Sequence, residues 1–246
     1  MAEDFAAELG EAGPLFAALR SAGAKDWQDY TRHAFVAGLA DGSLPLEAFK
    51  HYLVQDYIFL IHFARAYALG VYKAETVEEM RHCQASVHVI LEEELNLHLS
   101  YCKEWGLDED HILASAEDPA NLSYTRYVLD RGMSGDYLEL LIALSPCAIG
   151  YGEIACRLKA DPQTKVHGNP YTPWIEAYSG DAYRELALSA ARHLDAAAER
   201  RLGLGAAQSP RFQHLAAVFS QATRLEVGFW QMGLDAVSTS RAEVAL

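Results

Sequence analysis

In Ala143-Leu-Ser-Pro-Cys147-Ala-Ile-Gly-Tyr151 a proline interrupts a helical pattern, and a thiol follows it directly. Pro146 has no N–H and crowds the carbonyl four residues back, so the spacing predicts a kink that leaves the Ile142 carbonyl seeking a partner. Cys147 and Tyr151 are four apart, so thiol and phenol share a face and look into whatever the break opens. A thiolate placed there is a nucleophile. A buried, inert cysteine fits the same pattern, since free cysteines are among the most buried residues.

Two carboxylates fall on apolar stripes. Asp56 shares its helical face with Phe49, Tyr52, Phe59, Leu60 and Phe63, and a carboxylate on a core stripe costs several kcal/mol unless partnered. It is either held by a structural partner or kept for a ligand that brings donors. Glu226 has Phe229 and Trp230 three and four residues on, and apolar rings favour the neutral acid of a proton donor. A solvated outer face, or an ion pair with Arg224 or Arg201, is the alternative. Glu94 and His98 also share a face, which invites a metal. A carboxylate-bridged di-iron bundle wants Glu-x-x-His repeated on a second helix, however, and no such repeat occurs. No metal site is expected. Tyr124 and Tyr178 offer aromatic walls with polar tips, suited to a flat heteroaromatic ligand or to the rim of any core.

The elements that must position these groups are helices. Apolar residues recur at three and four, while sustained alternation is missing. A helix is predicted after Ser43 with Pro45 in its first turn, and a second from about Val77 to Trp105, stopping near Gly106. Others should start near Ser123, at Ser134-Gly135-Asp136 and at Ser179-Gly180-Asp181, with a last one from about Pro210 to Val237. The two Ser-Gly-Asp openings are reused cap chemistry, because the segments after them do not match as a repeat. Residues 161–173, with three prolines and a glycine, form the longest loop candidate and could close over a site. One all-α domain over 1–246 is expected, with 1–12 and 238–246 frayed.

Composition narrows the partners. With 51% hydrophobic and 22% charged residues the chain has the makeup of a folded globular protein. A net charge of -14 without a basic run opposes nucleic acid and anionic membrane surfaces. The acidic opening MAEDFAAELGEAG lacks the basic region of an export signal, and no uninterrupted apolar stretch reaches the ~18 residues of a membrane span. The four cysteines contain no CxxC pair, so a reducing cytoplasm is the expected home. GxGxxG, GxxxxGK[ST], HExxH and GxSxG are all missing, which leaves nucleotide, zincin and serine-hydrolase chemistry without their residues.

Taken in order, these segments resemble the TenA/thiaminase II family, in its cysteine-bearing branch. The resemblance runs from about residue 30 to 235 through Phe35-Val-Ala-Gly-Leu-Ala-Asp-Gly-Ser-Leu-Pro, Phe49-Lys-His-Tyr-Leu-Val-Gln-Asp56 and Leu60-Ile-His-Phe63. It continues through Leu144-Ser-Pro-Cys147-Ala-Ile-Gly-Tyr151, Trp174-Ile-Glu-Ala-Tyr178-Ser-Gly-Asp181 and Glu226-Val-Gly-Phe229-Trp230. It implies a haem-oxygenase-like multi-helix bundle without haem or other cofactor, commonly a homotetramer, that salvages the thiamine pyrimidine. On that resemblance Cys147 is the nucleophile, Glu226 the proton donor to the ring and Asp56 the carboxylate that holds the ring amidine. Phe59, Tyr124, Tyr151, Tyr178 and Phe229 surround the substrate, an aminopyrimidine or thiamine. Phe59 departs from the family, where many members carry a tyrosine thought to help activate the cysteine, and Tyr57 lies off that face. The implied activity is hydrolysis of 4-amino-5-aminomethyl-2-methylpyrimidine or thiamine to the hydroxymethylpyrimidine. A non-catalytic pyrimidine binder or regulator is the alternative, and a di-iron oxidase on the same scaffold a further one.

Overall fold

The computed structural model describes residues 2–244, and side chains from Phe5 to Ser238. Thirteen α-helices and no strand occur among the described residues. In order they are α1 (Ala2–Ala12), α2 (Pro14–Ala22), α3 (Ala24–Thr31), α4 (Ala34–Asp41), α5 (Leu46–Lys73), α6 (Val77–Val89) and, after a π turn at Ile90–Glu94, α7 (Leu95–Glu104). Then follow α8 (Glu109–Leu113), α9 (Pro119–Ser134), α10 (Tyr137–Ala160), α11 (Thr172–Ser179), α12 (Asp181–Leu202) and α13 (Phe212–Val244). The chain divides into two compact units, residues 1–44 with 141–227, and residues 45–140 with 228–246.

In the unit of residues 45–140 and 228–246, α5 is the central helix and packs against α6, α7 and α9. The predicted stripe is its buried face: Phe49, Tyr52, Leu53, Asp56, Leu60 and Phe63 are all buried, and Phe59 with them. Pro45 occupies the N-cap of α5 rather than its first turn, with φ -57 and ψ 132. Gly106, at φ +76, follows Trp105 and ends α7 where expected. The predicted helix 77–105 is interrupted by the π turn through Glu92-Glu93-Glu94, which a one-residue slip in hydrogen bonding produces. Helix α9 starts four residues before Ser123, with the Asp118 carboxylate accepting from Ala120 N and Pro119 in the first turn.

In the unit of residues 1–44 and 141–227, α1, α2 and α11 pack on α12. The expected fraying of 1–12 is corrected: α1 is a helix whose Phe5 and Leu9, four apart, are fully buried. At the other end α13 carries through 238–244, and Ala245 and Leu246 lie outside the described residues. The loop 161–173 is tied down rather than poised to close. Buried Asn169 donates through Nδ2 to the Leu39, Ala40 and Lys165 carbonyls, Tyr171 donates from its hydroxyl to the Leu44 carbonyl, and Lys165 N donates to Ala40 O. Although the chain has no uninterrupted apolar stretch of spanning length, α10 as a whole is long and apolar enough to cross a membrane, and most of it is buried.

Candidate active site

Around Cys147 the local structure follows from Pro146. The Ile142 carbonyl that the proline frees is taken by its neighbour, for Ser145 Oγ donates to Ile142 O at 2.8 Å inside the core. Pro146 O in turn accepts from the Tyr30 hydroxyl at 3.4 Å. Tyr30 lies so close over Gly150 that a Cβ there would meet its ring at 2.5 Å, so this approach requires glycine. Cys147 is half-buried, whereas Cys83, Cys102 and Cys156 are buried, and no disulfide is formed among the described residues. Burial pushes the Cys83 and Cys102 thiols up to about 11 and raises Cys156 as well, which leaves those three as inert core groups.

Tyr151, one turn on from Cys147, joins an aromatic cluster in the same unit. Its ring lies 5.2 Å from Tyr178 and 5.9 Å from Trp174, with Tyr30 at 6.5 Å, and Trp174 and Tyr178 are 4.8 Å apart. Tyr30 lies in none of the sequence motifs and Trp174 opens the Trp174–Asp181 segment without an assigned role, so both are additions to the sequence-derived set of site residues. Glu226 is 1% exposed, which removes the solvated-face alternative. Arg224, one of its two suggested partners, bonds Asp26 at 2.9 Å and Gln221 instead, as expected for residues two apart on a helix, which point away from each other.

In the other unit Phe59 meets two more of the predicted residues. Its ring centroid is 5.0 Å from Tyr124 and 5.4 Å from Phe229, with Phe63 stacked at 5.2 Å. Tyr52 flanks Phe229 at 6.0 Å and Trp230 at 5.3 Å. Such offset and edge-to-face pairs are the arrangements that ring quadrupoles favour. Gln55 and Asn121 fix α5 against α9: the Asn121 amide donates to the Gln55 backbone and side-chain oxygens, and Gln55 donates to Ala116 O. Tyr57 points elsewhere, its hydroxyl donating to Glu109.

Asp56 lies one turn before Phe59 and is 4% exposed. Its Oδ2 is 2.7 Å from His98 Nε2, and His98 Nδ1 is 2.9 Å from the Glu94 carbonyl oxygen. Both oxygens are acceptors, so the ring is held with a proton on each nitrogen. Burial alone would lower the His98 pKa, but the Asp56 hydrogen bond and charge, with Glu94 adding, raise it. Asp56 Oδ1 has no hydrogen-bonding partner among the described residues. Thus one carboxylate oxygen is structural and the other is open to a donor.

This pairing bears on the di-iron alternative. Both nitrogens of His98 are engaged, one of them by a carboxylate, and no group of three or more His, Cys, Asp or Glu side chains among the described residues is placed to hold a metal. Glu94 itself is half-buried and its carboxyl is pushed up to about 7, chiefly by burial, with the Asp56 and Glu93 charges adding and His98 opposing.

The sequence profile of the TENA/THI-4/PQQC family matches residues 22–236. An aminopyrimidine aminohydrolase of Halalkalibacterium halodurans is 33% identical over 209 residues, 85% of this chain and 90% of that protein. A crystal structure from Silicibacter sp. TM1040, described as a TenA family transcription regulator, is 48% identical with a TM-score of 0.87, covering 92% of this chain and 98% of that one. A Shewanella denitrificans domain described as having a heme oxygenase-like fold matches at TM-score 0.64 and 17% identity, over 91% of this chain and 92% of that one. This likeness shows the fold alone, and the fold is the all-helical, haem-oxygenase-like one expected.

Proposed function

The chain belongs to the TENA/THI-4/PQQC family, and from that premise we propose that this TenA-type enzyme is an aminopyrimidine aminohydrolase of the thiaminase II kind. Its substrate is 4-amino-5-aminomethyl-2-methylpyrimidine, thiamine, or both, and its product the 5-hydroxymethyl compound. The observation that carries this reading is the half-used carboxylate of Asp56. A buried acceptor with one oxygen on His98 and the other unclaimed, one turn from the Phe59, Tyr124 and Phe229 rings, suits the N–H donors of a flat aminopyrimidine.

The chemistry divides between Cys147 and Glu226. An aminopyrimidine resists nucleophiles until a ring nitrogen is protonated, so Glu226 gives its proton to the ring as the Cys147 sulfur bonds to a ring carbon. The adduct's electrons then expel the amine from the exocyclic methylene. The C–N bond breaks, and the nitrogen leaves with the electron pair and takes up a proton. Water adds to the methylene, the S–C bond breaks to return the thiolate, and the ring proton returns to Glu226. The balance is water consumed and ammonia released, or the thiazole released when thiamine is the substrate. Tyr151, one turn on from Cys147 in the same helix, and Tyr178 form an aromatic wall.

The same reading makes the protein a cytoplasmic homotetramer acting on a small molecule. A pyrimidine-binding regulator is the second reading, favoured by the description of the Silicibacter relative as a transcription regulator. Incubation with each substrate and identification of products by mass spectrometry decides between them. Release of the hydroxymethylpyrimidine is expected, whereas tight pyrimidine binding without any product would overturn the hydrolase.

A further inference from the structure

The unit of residues 1–44 and 141–227 carries a cleft of about 390 Å³ between α2, α3 and the C-terminal half of α10, whose lining includes neither Cys147 nor Glu226. Three arginines line it, Arg20, Arg32 and Arg157, with Glu153, Trp27 and Gln28. In a chain of net charge -14, three guanidiniums around one concavity run against the overall balance.

The charges are not equally compensated. Glu153 is consumed by its neighbours: Arg20 bonds its Oε2 at 2.7 Å, and Trp27 Nε1 donates to its Oε1 at 3.0 Å. Arg157 is half-buried, yet its only hydrogen bond among the described residues runs from one terminal nitrogen to the Thr31 carbonyl at 2.6 Å. A guanidinium has five N–H donors in a rigid fork, so most of its donor edge stays open. Arg32 has neither a salt bridge nor a side-chain hydrogen bond among the described residues, and its charge adds to burial in lowering the Arg157 pKa, against the opposing charges of Asp161 and Glu153. Two like charges held together with open donor forks, one of them partly desolvated, form an arrangement that an anion relieves.

We propose that this cleft binds a small organic phosphate monoester through Arg32 and Arg157. A phosphomonoester carries nearly two negative charges at neutral pH, which suits two guanidiniums whose donor edges are mostly open, and its three terminal oxygens accept the paired N–H bonds that arginine forks present. The volume lies in the range of small-molecule sites and exceeds what the phosphate group alone needs. The remaining space takes the organic part, beside the amide of Gln28.

Phenyl phosphate and inorganic phosphate would be titrated into the full chain by calorimetry at constant ionic strength, with and without saturating 4-amino-5-hydroxymethyl-2-methylpyrimidine. Saturable binding of one phenyl phosphate per chain is expected, tighter than inorganic phosphate and unaffected by the pyrimidine. Arg32→Glu reverses an exposed charge that has no protein partner, so it should fold, keep its basal turnover and weaken binding by about tenfold or more. Arg157→Gln should weaken it similarly. The proposal is overturned by binding that neither variant weakens, by full competition with the pyrimidine, by phenyl phosphate no tighter than inorganic phosphate, or by no saturable binding at all.

Discussion

His98 Nε2 stands 2.7 Å from Asp56 Oδ2, joining α7 to α5 across 42 residues of sequence inside the core. The same ring is held from the other side by the Glu94 carbonyl, so the carboxylate is fixed in orientation. A positioning group of this kind should act on substrate binding more than on the chemical step. His98→Asn is expected to raise KM for the aminomethylpyrimidine about ten- to hundredfold while kcat changes less, since a hydrogen bond to a charged group is worth ~1.5–3 kcal/mol. An unchanged KM with lowered thermal stability would assign His98 to structure alone.

Glu94 gives this cluster a dependence on pH. Burial pushes its carboxyl up to about 7, above the ordinary glutamate value of about 4.5, so the folded protein holds the proton more tightly than the unfolded chain. Its contribution to stability is therefore fully present below about pH 4.5 and is lost as pH rises through about 7. The raised pKa of His98 acts in the same direction. Glu94→Gln keeps the neutral form at every pH. The variant's melting temperature should match that of the wild type near pH 5 and exceed it at pH 8, by calorimetry or circular dichroism. Parallel curves for the two proteins across that range would refute the assignment.

How much of this was legible in the sequence depends on the range of the interaction. The α5 stripe from Phe49 to Phe63 was readable because burial imposes its period locally. The π turn at Ile90–Glu94 was not, since three consecutive acids read equally as a solvated face. The start of α9 was misplaced because Ser123 resembles a cap, whereas Asp118-Pro119 is the stronger pair. Pro146 announced an orphaned carbonyl, but the neighbouring Ser145 hydroxyl that satisfies it was overlooked. His98 appeared only as a metal candidate with Glu94. Its real partner is 42 residues away, and no local periodicity encodes that distance.

Phe59 stands at the meeting of three rings, Phe63, Tyr124 and Phe229, and is 3% exposed. Phe59→Leu keeps an apolar side chain but ends the ring contacts, which are worth ~0.5–1.5 kcal/mol beyond area burial. Pyrimidine affinity, measured by calorimetry, should fall about three- to thirtyfold if these rings wall the substrate. A variant that loses stability but binds pyrimidine as before would make Phe59 a packing residue only.

Cys147 is the one cysteine of the four that is not buried. Cys147→Ser should abolish turnover and leave pyrimidine affinity nearly unchanged, because the thiolate is used in the chemical step while other groups hold the ligand. Mass spectrometry of the wild type trapped with substrate should also show the adduct on the peptide containing Cys147. Turnover by the serine variant near the wild-type rate would remove the nucleophile assignment.

Glu226 offers the most direct test of proton donation, because glutamine replaces it with nearly the same volume in a site that is 1% exposed. The amide keeps a hydrogen-bonding oxygen but carries no proton that it can transfer. If the carboxyl protonates the ring, Glu226→Gln should lower the chemical rate by more than ~100-fold, the usual size of a lost general acid. Pyrimidine binding should fall far less, and the pH–rate profile should lose the limb on which rate declines as this acid ionises. Glu226→Asp, which retains a transferable proton on a shorter side chain, should recover part of the rate. Single-turnover kinetics with the aminomethylpyrimidine separate these quantities. A glutamine variant that turns over at the wild-type rate would mean that another group protonates the ring and that Glu226 serves the core.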